Sequence, residues 1–72
     1  MDKYKVAIVD DDEVALENLS FELGKDARFS LKGTARNGKQ GKKLIAKVQP
    51  DLLFLDVELP DMTGMELLQE IR

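Results

Sequence analysis

The chain has 72 residues, 11 basic against 14 acidic side chains, a formal charge of −3, and neither cysteine nor histidine. That length holds one domain, and so short a chain buries only about 60% of the surface its unfolded form exposes. The missing cysteines exclude a disulfide framework and thiolate metal sites, and the missing histidines exclude Ser–His and zinc-hydrolase chemistry.

Lys5-Val6-Ala7-Ile8-Val9 is β-rich, almost wholly apolar, and stops at Asp10-Asp11-Asp12, which predicts a buried strand. From Glu13 to Leu23 the residues Leu16, Leu19 and Leu23 recur at helical spacing, with Asp12 as the cap and Gly24 as a left-handed stop. Phe29 to Ala35 alternates, with Phe29, Leu31 and Ala35 on one face, which predicts a half-exposed strand at a sheet edge. Asn37-Gly38 is a turn dipeptide before a second helix, Lys39 to Val48, whose apolar stripe is Leu44, Ile45 and Val48. Gly41 should weaken that helix by about 1 kcal/mol relative to alanine, and Gln49-Pro50-Asp51 ends it. Leu52 to Val57, terminated by Pro60, reads as a third strand buried on both faces. Gly64 to Arg72, carrying Met65, Leu67, Leu68 and Ile71, opens a third helix that is cut off at the end of the chain.

Alternating strands and helices with short connections require parallel strands, so an α/β layered fold is expected, with strand order 2-1-3 if the most apolar strand is central. Strand three is then left as a long apolar edge, a template for association. Homodimerisation through that edge is expected. The longest apolar run, Leu52 to Leu55, is far short of the roughly 20 residues of a spanning helix, and the N-terminal residues contain no signal-peptide core. A cytoplasmic protein without membrane contact is the expectation. Lys39, Lys42, Lys43 and Lys47 are the nearest approach to a basic cluster and read as a solvated helix face, so nucleic-acid binding by this segment is not expected.

Ligands of an open parallel sheet bind at the carboxyl ends of the strands, where strand order reverses. Asp10, Asp11 and Asp12 follow strand one and Asp56 lies near the end of strand three, so the acids should converge there. Clustered carboxylates repel unless some are protonated or a hard divalent cation lies among them, and oxygen-only ligands suit Mg²⁺. The plainer reading, in which one aspartate caps a helix and another ends a strand, does not account for two apolar strands that both end in acids.

The runs Val6-Ala7-Ile8-Val9-Asp10-Asp11-Asp12-Glu13 and Pro50-Asp51-Leu52-Leu53-Phe54-Leu55-Asp56-Val57-Glu58-Leu59-Pro60-Asp61-Met62-Thr63-Gly64-Met65-Glu66-Leu67-Leu68, with Asn37-Gly38 between them, resemble the receiver domain of two-component response regulators. The resemblance implies a flavodoxin-like fold, of which residues 1–72 hold strands one to three and helices one to three. It implies that Asp56 is the phosphoacceptor of a sensor histidine kinase. It also implies that Asp10 and Asp11, with Asp56 and the carbonyl of Glu58, hold Mg²⁺. The family's Ser or Thr after strand four and Lys after strand five have no counterpart in these residues, so impaired phosphorylation and switching are expected of the 72-residue chain. Such a chain is a phosphoacceptor in a relay and not itself an enzyme. A degenerate receiver serving only as a homodimerisation module is the alternative. A haloacid-dehalogenase-type phosphohydrolase would need a second Asp two residues after the nucleophile, where Glu58 stands. An EF-hand would need alternating oxygen ligands and a central Gly that Asp10-Asp11-Asp12 lacks.

Overall fold

In a computed structural model that describes residues 3–71, the chain runs β1 (Tyr4–Val9), α1 (Glu13–Gly24), β2 (Phe29–Ala35), α2 (Gly38–Val48), β3 (Leu52–Leu55) and α3 (Gly64–Glu70). The strands form one parallel sheet in the order β2-β1-β3. Val6, Ala7, Ile8 and Val9 are at most 2% exposed, because β1 is hydrogen-bonded on both edges and covered on both faces. Alternation along the strand divides the core between those faces. Val6 and Ile8 pack with Leu16, Leu23, Leu19, Phe29, Leu31 and Phe54 beneath α1. Val9 packs with Ala35, Leu59, Leu67, Leu44, Ile45 and Leu53 beneath α2 and α3.

Several expectations need correction, each for a local reason. Phe29 and Leu31 face α1, but Ala35 belongs to the opposite cluster. The register slips between Val6 and Ala7, where Leu31 pairs with Val6 and Gly33 pairs with Ala7, leaving Lys32 as the extra residue of a bulge. One inserted residue inverts the pleat and sends every later side chain to the other face. Gly33 then lies under α2, where a Cβ would stand 2.6 Å from Leu44 Cδ1.

Gly24 is the last residue of α1 and not a left-handed stop, since no glycine among the described residues has a positive φ. The helix ends by tightening: the Lys25 and Asp26 amides donate to the carbonyls of Glu22 and Leu23, three residues back. Gln49 takes the left-handed position that ends α2, with φ 50°. β3 stops at Leu55 instead of Val57, and its residues are half-buried or exposed because β1 flanks it on one side only. Val57 is 71% exposed. α3 starts at Gly64 behind a capping box, in which Thr63 Oγ1 accepts from the Glu66 amide and Glu66 accepts from the Thr63 amide. The expected end of this helix at Arg72 lies outside the described residues.

Candidate functional site: an acidic cleft at the carboxyl end of the sheet

The sheet brings the acids level through backbone pairing. The Asp10 amide donates to the Ala35 carbonyl at 3.0 Å and the Asp56 amide to the Val9 carbonyl at 2.9 Å. β1 and β3 therefore each end one residue before an aspartate on the same rim. Asp10 and Asp56 are half-buried and Asp11 is exposed. One carboxylate oxygen from each of Asp10, Asp11 and Asp56 lies within 4.8 Å of the others. Of the four acids expected to converge, Asp10, Asp11 and Asp56 do so, whereas Asp12 stays outside this group because its carboxylate caps α1.

Each neighbour in the Asp10-Asp11-Asp12 run has a different task. Asp10 Oδ1 accepts from the Asp12 amide at 2.9 Å, a turn that bends the chain out of β1. Asp12 Oδ1 accepts from the Val14 and Ala15 amides at 3.0 and 3.4 Å and caps α1. Asp11 lines an open cleft with Asp56, Val57, Glu58, Leu59 and Pro60. Its carbonyl accepts from Arg36 Nη2 at 3.2 Å, which ties this loop to the end of β2.

The loop after β3 folds back on itself. Leu59 donates to the Met62 carbonyl at 3.0 Å and Gly64 to the Val57 carbonyl at 2.7 Å, which makes Glu58 and Thr63 an antiparallel bridge. These bonds use the residues flanking Glu58 and leave its own carbonyl outside the ladder, while its amide approaches Asp56 Oδ1 at 3.5 Å. Glu58 lines the cleft, but its carboxylate is not in the close acidic group, which consists of Asp10, Asp11 and Asp56. Gly64 is required where the loop closes, because a Cβ there would collide with the Asp56 carbonyl oxygen.

Two residues of this region carry no functional signal in the sequence. Arg36 follows a strand with nothing to mark its contact with Asp11. Asp61 accepts from the Gly38 and Lys39 amides at 2.7 and 3.0 Å, across more than twenty residues of sequence. Those amides, the Gly38 one first, hold its carboxyl below the usual carboxylate range.

The charge arrangement decides what the cleft can hold. Two unit negative charges at 4.8 Å repel by about 1 kcal/mol in bulk water and by about 3 to 4 kcal/mol at an effective dielectric of 20. A hard divalent cation among them turns repulsion into attraction, and an all-oxygen donor set fits Mg²⁺.

The family model for the response regulator receiver domain matches residues 6–72. A protein-glutamate methylesterase/protein-glutamine glutaminase of Geobacillus kaustophilus is 42% identical over 71 residues, which cover 99% of this chain and 20% of that protein. A probable C4-dicarboxylate response regulator of Bacillus subtilis is 41% identical over 75 aligned positions, covering 97% of this chain and 31% of that protein. Among solved structures, a signal receiver domain of a response regulator from Mycobacterium tuberculosis superposes with a TM-score of 0.94 at 26% identity, over 100% of this chain and 58% of that one. The response regulator domain of Thermotoga maritima CheB gives 0.92 at 24%, over 97% of this chain and 52% of that one. The chain thus spans about half the length of the solved domains it matches and a smaller share of the curated proteins. With two parallel strands ending in acids that meet on one rim, and a family match across almost all its residues, the chain belongs to the response regulator receiver domain family.

Proposed function

We propose that this chain acts in two-component signal transduction, with Asp56 accepting a phosphoryl group from the phosphohistidine of a sensor histidine kinase. The observation that carries the reading is the convergence of Asp10, Asp11 and Asp56 within 4.8 Å at the carboxyl end of the sheet. An Asp56 carboxylate oxygen attacks phosphorus as the bond to the imidazole nitrogen breaks, and the imidazole leaves. Attack by one anion on another needs neutralised charge and an in-line approach. Asp10, Asp11, Asp56 and the Glu58 carbonyl would hold Mg²⁺, which when bound supplies that neutralising charge. The open cleft between Asp11 and Pro60 gives access from outside, and the β1 and β3 pairing fixes the direction from which Asp56 meets the donor.

Residues 1–72 hold a partial receiver domain, and the family's Ser/Thr and Lys that grip the phosphoryl oxygens have no assignable counterpart among them. Charge-assisted contacts of that kind are strong, so the 72-residue polypeptide by itself takes up phosphate inefficiently. Intact mass after incubation with a small acyl phosphate tests both statements. A substoichiometric adduct that needs Mg²⁺ and vanishes in Asp56→Asn is expected. No adduct, or one that survives Asp56→Asn, refutes the phosphoacceptor role, and stoichiometric uptake refutes the impairment.

The same polypeptide should self-associate. Among the described residues only one edge of β3 is paired, Leu52 on that strand is exposed, and Val57 just beyond its end is exposed as well. Sedimentation at tens of micromolar should show a dimer, and a well-folded monomer at that concentration rules the association out. No helix among the described residues is long and apolar enough to cross a membrane.

A further inference from the structure

We propose that Asp61 is a positioning residue for the acidic cleft, acting as a second cap on α2 that holds the loop bearing Glu58 against the sheet. The inference rests on the Mg²⁺ reading above.

α2 already has a cap of its own, since Asn37 Oδ1 accepts from the Gln40 amide at 2.8 Å. That leaves the Gly38 and Lys39 amides at the start of the helix without an intrahelical partner. Asp61 reaches both, at 2.7 and 3.0 Å, from the loop between β3 and α3. Met62, the next residue, lies against Gly38 so closely that a Cβ at position 38 would stand 2.5 Å from its Sδ. Two consecutive loop residues therefore rest on one helix terminus, one through charge and the other through packing.

Between that clamp and Asp56 the loop has little freedom. Leu59 is buried in the core beside Val9 and Leu67. The Leu59 to Met62 and Gly64 to Val57 hydrogen bonds close the bridge around Glu58. Gly64 packs on the Asp56 carbonyl. Movement of position 61 is thus transmitted to the two backbone segments next to the carboxylates, while α2, seated on β1 through Gly41 and Val9, supplies the fixed point. Asp61 touches no part of the cleft itself, whose lining ends at Pro60. Groups that orient metal ligands without touching the metal commonly control affinity by 10- to 100-fold.

Three variants separate positioning from ordinary stability. Asp61→Ala removes both bonds to α2, Asp61→Asn keeps an oxygen acceptor, and Asn37→Ala removes the helix's own cap without touching the loop. Hydrogen exchange at the Leu59 and Gly64 amides reports the loop, and Mg²⁺ titration followed by the NMR shifts of Asp11 and Asp56 reports the site. Asp61→Ala should release both amides and weaken Mg²⁺ binding by about tenfold. Asp61→Asn should recover part of each, and Asn37→Ala should lower stability while leaving both unchanged. Loop amides that stay protected in Asp61→Ala, Mg²⁺ binding equal to that of the unsubstituted chain, or an equal loss in Asn37→Ala would overturn the inference. An unsubstituted chain whose Asp11 and Asp56 resonances ignore Mg²⁺ would instead refute the metal reading, and amide exchange would still decide whether the clamp holds the loop.

Discussion

Gly41 is where helix propensity and packing make opposite predictions. Replacing glycine by alanine inside a helix ordinarily stabilises it by about 1 kcal/mol, because the chain loses less backbone freedom on folding. Here a Cβ at position 41 would lie 3.0 and 3.1 Å from the two γ-methyls of Val9 and 3.3 Å from Leu67 Cδ2. Val9 and Leu67 are both 0% exposed, so neither can move aside into solvent. Val9 is also held by the sheet on both edges. Forcing an extra methyl into a filled core costs about 1 to 3 kcal/mol, which exceeds the gain from propensity. Gly41→Ala should therefore destabilise the fold by about 1 kcal/mol net. For a domain of this size that lowers the melting temperature by about 4 to 8 °C, or the urea midpoint by about 1 M if the slope is about 1 kcal/mol/M. Gln40→Ala, one residue away on the exposed side of α2, is the control and should stay within about 0.5 kcal/mol. Urea unfolding followed by circular dichroism measures both. A midpoint that rises in Gly41→Ala would show that α2 does not sit on Val9 and Leu67 as described.

Gly64→Ala places a methyl against the Asp56 carbonyl, a backbone atom with no rotamer to escape into, so a loss of about 2 kcal/mol or more is expected in the same unfolding experiment; a neutral substitution would mean the loop can open without cost. Asp12→Ala removes the oxygen that caps α1 and should cost about 1 kcal/mol, with helix content reported by far-ultraviolet circular dichroism; unchanged stability would show the cap to be idle. The Arg28 guanidinium bonded to Asp26, helped by the Arg28 amide, holds the Asp26 carboxyl down at about 2, against an ordinary 3.8. A carboxyl depressed on folding contributes stability that is complete above its unfolded value and disappears as pH falls through the folded one. The acid sensitivity of wild type between pH 3.8 and about 2 should accordingly exceed that of Asp26→Asn, and identical acid titrations would refute the contact.

What could be read from the residues alone was whatever depends on neighbours in sequence. The apolar run Val6–Val9 announced a central strand, Asp12 announced a helix start, and two strands ending in acids put Asp10, Asp11, Asp12 and Asp56 on a common rim, where folding gathers all but Asp12. Tertiary structure decided the rest, because those outcomes depend on what faces a residue from a distant segment. The bulge at Lys32 is invisible in the alternation of Phe29 to Ala35, since the register is set by pairing with β1 and by the need to bring Gly33 beneath Leu44. Gly41 looked like a flaw in α2 until Val9 and Leu67 showed that the helix approaches the sheet too closely for any side chain there. The task of Asp61 became visible only when folding set its carboxylate on the amides of Gly38 and Lys39. Periodicity and capping are short-range and leave a trace in a single sequence, whereas a close approach between segments does so only by the size of the residue that permits it.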